Sequence, residues 1–312
     1  MILNSKTLNR RRFLTSTAPV VGLALSGLVQ LPTITYAEDL TSHTEEMRTR
    51  LLALVNGERF VAGVRQLELD DLACRVATAH AIEMAADGFI SHWGRDGRKP
   101  YQRFALSGGF HATQENVASI DNLPSAEWKY VANQLEYLHV RMHGETPPND
   151  GHRRSILAPQ QTHVGFGFAL TESRLRLVET YVAKYVKLAA FESRVHRKAS
   201  FELSGRLLNP TNVLQLVDVC YEPPPTPADL EFLAKSKSYS LPDEYKTLRP
   251  RLAGGVLYAD RHPGVIELSP GGHFRVPVKL YKSTPGVYTI VFWIRTSREK
   301  AFPATEICVE AY

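Results

Sequence analysis

From residue 42 to 63 the apolar residues Met47, Leu51, Leu52, Leu54, Val55 and Phe60 recur at the spacing of one helix face, and Gly63 ends the run. Thr41, Ser42 or Thr44 can cap its start. Leu67-Glu68-Leu69-Asp70-Asp71 leads into a second helix through Asp87, with Leu72, Val76, Ala79 and Met84 inward and Gly88 as its stop. Asp96-Gly97, Pro100 and Gly108-Gly109 make 95–109 a loop with a short helix. Residues 124–142 return to helical spacing through Trp128, Val131, Leu135, Leu138 and Met142, before the loop Thr146-Pro147-Pro148-Asn149-Asp150-Gly151. The stretches 163–170 and 174–187 alternate apolar with polar around a polar turn, which is the pattern of a β-hairpin. Helices mixed with antiparallel strands predict an α+β layered domain.

The pattern changes after the basic stretch Arg194-Val195-His196-Arg197-Lys198. Short alternating runs follow at 201–207, 213–221, 264–268, 273–281, 286–295 and 304–311, punctuated by Pro223-Pro224-Pro225, Pro270-Gly271-Gly272 and Pro285-Gly286. Apart from a turn at 227–234 no helical period competes with them. These runs predict an all-β sandwich of immunoglobulin-like type over 200–312, behind an α+β domain over 42–190.

Charge changes the picture only at the N-terminus. The 312 residues carry 37 Lys+Arg against 32 Asp+Glu, a formal +5. Residues 1–37 hold Lys6, Arg10, Arg11 and Arg12 and no acid, so the remainder has 33 bases against 32 acids. A basic footprint for nucleic acid disappears with that segment. The segment itself reads as an export signal. Arg10-Arg11-Arg12-Phe13-Leu14 has the twin-arginine form, Ala18 to Leu31 is apolar, and Ala37 offers a small residue for cleavage. The apolar run is short of the roughly 20 residues that span a bilayer, so no transmembrane anchor is expected after cleavage. The protein is therefore expected to be exported, periplasmic or extracellular. Of the three cysteines, Cys74 lies in the first half, and Cys220 and Cys308 in strand-like runs of the second. A 220–308 bridge and buried free thiols both suit that spacing, the free thiols being the simpler expectation.

The candidate chemistry lies in four separated motifs. They are Phe89-Ile90-Ser91-His92, Gln114-Glu115-Asn116-Val117-Ala118, Met142-His143-Gly144-Glu145, and Gly151-His152 running on to Val164-Gly165-Phe166-Gly167. In this order they resemble the CAP superfamily (cysteine-rich secretory proteins, antigen 5 and pathogenesis-related proteins) in its bacterial SCP-like branch, over roughly 45–187. The resemblance implies an α-β-α sandwich in which His92, Glu115, Glu145 and His152 line one cavity. It also implies a structural role for the helix-borne His80 and leaves His139, His143 and His163 outside the tetrad. Two departures stand out. Met142 replaces the tryptophan three residues before the second acid, which makes Glu136 the alternative to Glu145. Arg153 and Ser155 replace the aromatic and Gln after the second His.

Imidazole and carboxylate together suit Zn2+ or another divalent cation, with His92, His152 and Glu115 as candidate ligands and a coordination position left open. They equally suit proton exchange with a bound ligand without metal. Asn116 is expected to serve the backbone near the cavity, and Ser91 to orient His92. A serine hydrolase using Ser91 or Ser155 lacks the Gly-x-Ser-x-Gly elbow. The expected function is an exported CAP-domain protein binding a divalent metal or a small ligand in a His-Glu-Glu-His cavity, alongside an unknown envelope or extracellular partner. The alternative is a metal-assisted, peptidase-like hydrolase using the same tetrad, against which stands the absence of a His-Glu-x-x-His helix.

Overall fold

The computed structural model describes residues 43–236, 238–297 and 300–312. The twin-arginine segment, the cleavage position and the caps Thr41 and Ser42 lie outside the described residues. No helix among those described is long and apolar enough to cross a membrane.

Helix α1 spans Thr44–Val61, with His43 at its N-cap. Met47, Leu51 and Val55 are buried, but Phe60, expected inward, is 75% exposed, because the helix runs past the end of the core it packs on. Helix α2, Asp71–Asp87, has the expected ends. Asp70 accepts from the Ala73 amide at 2.6 Å, and Gly88 closes the helix in the left-handed region at φ 70°. Its inner face is Ala73, Ala77, Ala81, Met84 and Ala85, and Ala79 points outward. After α3 (Pro100–Leu106), α4 (Trp128–His143) and α5 (Gly151–Leu157) complete the helices of this half.

The strands of this half are β1 Glu68–Leu69, β2 Ala112–Ile120, β3 His163–Thr171 and β4 Arg174–Ala183, joined in one sheet of order β1-β3-β4-β2. Alternation along β4 sorts the helices into layers. Leu175, Leu177 and Tyr181 pack with Met47, Leu51 and Leu135 of α1 and α4, while Val178 joins Ala77, Ala81 and Met84 of α2. An α-β-α arrangement results. The Gly-x-Gly of the last motif explains how close α2 lies to the sheet. A Cβ on Gly165 would come within 2.2 Å of the Cys74 nitrogen, and one on Gly167 within 2.1 Å of the Ala77 carbonyl carbon. An alanine-rich helix face and two glycines are the two halves of one close contact.

The run predicted as 174–187 breaks after Ala183, and its end becomes β5, Val186–Leu188. That strand leaves the first sheet and joins the C-terminal strands. These are β6 Arg194–Val195, β7 Ser200–Leu207, β8 Val213–Glu222, β9 Tyr245–Leu248, β10 Glu267–Ser269, β11 His273–Lys279, β12 Gly286–Arg295, β13 Phe302–Pro303 and β14 Ile307–Ala311. They form a four-stranded sheet of order β10-β11-β7-β5 and a second sheet, β6-β14-β12-β8-β9, with β13 also on β12. Leu203, Phe274, Val276 and Val278 of the four-stranded sheet share one core with Val217, Val219, Ile290 and Phe292 of the other. A short helix, α6 (Leu230–Lys235), occupies the turn read at 227–234.

Strand register excludes the Cys220–Cys308 bridge. Both cysteines pair with Thr289, one from each side of β12. Two strand spacings, roughly 10 Å, separate them, and bridged Cα atoms lie within about 7 Å. All three cysteines are buried free thiols.

Candidate functional site

Strand β2 is the edge of the first sheet, and the four motif residues gather along it as two pairs. His92 follows the end of α2 in a loop whose position is set from below. His80, buried in α2, bonds the Ser91 carbonyl through Nε2 at 2.8 Å and Glu83 through Nδ1 at 3.2 Å. His92 Nδ1 then meets Glu115 Oε1 at 3.1 Å. Arg103 of α3 holds the same acid from the other side, donating to Glu115 Oε2 at 2.7 Å and to the His92 carbonyl at 2.7 Å. Burial works to raise the Glu115 pKa and is outweighed by the Arg103 guanidinium and the His92 hydrogen bond, which hold it at about 2.

The second pair follows α4. Glu145 Oε1 meets His152 Nδ1 at 2.5 Å, and its Oε2 accepts from the His152 amide at 3.0 Å at the start of α5. Glu136, the alternative acid, instead pairs with Arg50 at 2.7 Å on the outside of α4. Met142 is buried where the resemblance implies an aromatic. A cavity of about 230 Å³ lies beside this pair, lined by Val117, Ala118, Ser119, Leu138, Arg141, Met142, Glu145 and His152. Adjacent residues of β2 reach the two pairs from opposite faces of the strand: Glu115 holds His92, and Asn116 Nδ2 donates to the His152 carbonyl at 3.2 Å. His92 and Glu115, expected to share one cavity with Glu145 and His152, do not line this one.

The hydroxyl of neither candidate serine bonds an imidazole. The Ser91 hydroxyl donates to the Ser236 carbonyl at 3.0 Å, and that of Ser155 to the Gly151 carbonyl at 3.2 Å in its own helix. Ser91 thus positions the loop through its backbone neighbours instead of orienting the His92 ring.

A shared cation does not fit the side chains as they stand. Among the described residues no three His, Cys, Asp or Glu side chains converge for an ion. Glu115 already carries a guanidinium on one oxygen and an imidazole on the other, so a cation beside it would face Arg103.

Two features have no signal in the sequence reading. One is Tyr239, from the C-terminal half, whose hydroxyl accepts from the Glu115 amide at 2.9 Å and whose ring lies edge-on to His92 with centroids 5.0 Å apart. The other lies on the opposite face of the sheet. His139 of α4 sits between Glu179 Oε1 at 2.6 Å and Glu58 Oε2 at 2.9 Å. Burial disfavours its charge, yet the two carboxylates raise its pKa to about 10. Tyr181 and Asn116 complete the bonds to Glu179, at 2.7 and 3.2 Å. This is a satisfied buried ion cluster tying α1, α4 and β4 together.

The cysteine-rich secretory protein (CAP) family model matches residues 52–185. The uncharacterized protein YkwD of Bacillus subtilis (strain 168) is 24% identical over 120 residues, 38% of this chain and 41% of its own length. The chain therefore spans well under half of that relative. Among solved structures, an outer surface protein of Borrelia burgdorferi is 21% identical over 45% of this chain and 93% of its own, with a TM-score of 0.36. An extracellular SCP-domain protein of Bacillus anthracis str. Ames is 20% identical over 45% of this chain and 41% of its own, with a TM-score of 0.34. The matched segment encloses His92, Glu115, Glu145 and His152, and residues 52–185 are a CAP domain of bacterial SCP-like type, similar to the cysteine-rich secretory protein family.

Proposed function

We propose that this is an exported, non-enzymatic CAP-domain protein. His92, Glu115, Glu145 and His152 form one binding site for a small or peptide ligand along the edge of β2. The two C-terminal sheets, read as an immunoglobulin-like sandwich, present that domain to a partner in the envelope or outside the cell. The observation that carries the reading is the pairing: each carboxylate is bonded to an imidazole, at 3.1 Å and 2.5 Å. Groups partnered in this way exchange hydrogen bonds with a ligand at little desolvation cost. They are less suited to a cation, because Glu115 already holds the Arg103 guanidinium, whose charge would oppose one beside it.

Casein hydrolysis and binding to isolated envelope material, measured with and without added ZnCl2, separate this reading from the metal-assisted hydrolase. The chain is expected to bind without cleaving. Cleavage that disappears in a His92→Ala/Glu115→Ala double variant would overturn the binding reading.

A further inference from the structure

The His92–Glu115 half of the site is covered by the protein's own chain. Residues 226–236 and 238–240, between β8 and β9, leave the C-terminal sheets and lie along the loop that carries His92. Leu233 of α6 is fully buried, and its apolar neighbours are Ala77, Ala81, Met84 and Phe89 of the CAP domain. The Cβ that Gly97 lacks would fall 2.0 Å from the Thr226 carbonyl oxygen, so the segment rests directly on the backbone of that loop. Phe232 meets Trp93 edge-on at 5.4 Å between centroids. Three donors of the CAP domain then reach this segment: the Ser91 hydroxyl to the Ser236 carbonyl at 3.0 Å, Trp93 Nε1 to the Ser238 carbonyl at 3.1 Å, and the Glu115 amide to the Tyr239 hydroxyl at 2.9 Å.

The last of these contacts has a specific meaning. β2 has no strand beyond it in the first sheet. An unpaired edge amide calls for an acceptor, and here a phenol supplies it. The same ring lies edge-on to His92.

We propose that Tyr239 is a resident occupant of the site, that residues 226–236 and 238–240 form a strap held there by Leu233, and that the His92–Glu115 pocket is built for a phenol side chain on an extended peptide. The strap is the internal competitor of any such external ligand. The proposal rests on reading His92 and Glu115 as a binding site and assigns that site its ligand class and its closure.

Carbethoxylation of the full chain by diethyl pyrocarbonate, read by mass spectrometry for each histidine, tests it. His273 is exposed and serves as the internal reference. His92 is expected to react slowly in the wild type. In Tyr239→Ala it should react about ten-fold faster, the loss of one well-packed contact. Saturating p-cresol, the tyrosine side chain without its backbone, should restore protection, and cyclohexanol should not. Unchanged His92 reactivity in the variant, or no rescue by p-cresol, would overturn the proposal. If Tyr239→Ala does not fold, Tyr239→Phe removes only the hydroxyl. Hydrogen exchange at the Glu115 amide should then rise by about five-fold for one lost hydrogen bond, and unchanged exchange would contradict the strap. Casein cleavage lost in the His92→Ala/Glu115→Ala variant would defeat the binding reading while leaving this protection result standing.

Discussion

Glu115 and Glu306 are both buried carboxylates in contact with β2, and opposite surroundings give them opposite behaviour. Arg103 and His92 hold Glu115 at about 2, whereas the Glu306 carboxylate is met, among the described residues, only by the Thr113 amide and hydroxyl, and burial raises it to about 7. Stability contributed by Glu115 is present above the unfolded pKa of about 4.5 and is lost as pH falls towards 2, about 3 kcal/mol in all. Arg103→Gln should abolish that increment, since burial alone would leave the acid raised; urea unfolding of both proteins between pH 2 and 7 checks it. Glu306 works the other way. Its folded form prefers the proton, so stability falls as pH rises from about 4.5 to 7, and Glu306→Gln should remove a loss of about 3 kcal/mol seen at pH 8 but not at pH 4. At this scale the sequence is readable only where a motif stands. His92, Glu115 and His152 are singled out by their neighbours, whereas Glu145 and Glu136 stay alternatives in the sequence and are told apart only by the ion pair of Glu136 with Arg50. Arg103, in Pro100-Tyr101-Gln102-Arg103, and Tyr239, 124 residues from its partner, have no local signature.

Helix α2 and strand β3 are specified as a pair, because the alanines of one need the glycines of the other. Gly167→Ala should therefore cost more than an ordinary strand substitution: its Cβ meets helix backbone at 2.1 Å, and forcing them apart costs about 1–3 kcal/mol. Chemical denaturation measures the loss, and a neutral result would mean that the helix can shift without cost. Helical periodicity locates α1, α2 and α4, while it misjudges the inner face of α2 at Ala79. Small residues carry little hydrophobic contrast, so the close-packed face of an alanine-rich helix is nearly invisible in a pattern of apolar positions. The break at residue 183 is hidden for a related reason, since β4 and β5 both alternate and only their pairing partners differ.

In the whole molecule the two halves are joined by many contacts. Glu222 of β8 accepts from Lys99 at 2.7 Å, Tyr101 at 2.9 Å and Gln102 at 2.8 Å, and Leu233 and Glu306 add a buried anchor and a buried acid. Residues 192 and 193 are exposed and outside any strand, between β5 and β6. A protease should cut there first, and the two fragments should stay together on size-exclusion chromatography; separation after a single cut would show that the interface is weak. Two mutually packed halves are foreseeable as a change of pattern along the chain, but not the strap by which one covers the other's site. A single binding site requires that one ligand engage both pairs. A double-mutant cycle on binding to isolated envelope material, with His92→Ala, His152→Ala and the two combined, tests this directly. Residues that hold one ligand lose affinity non-additively, so the double variant is expected to depart from the sum of the single losses by more than about 0.5 kcal/mol. Losses that add to within about 0.3 kcal/mol would contradict the shared site.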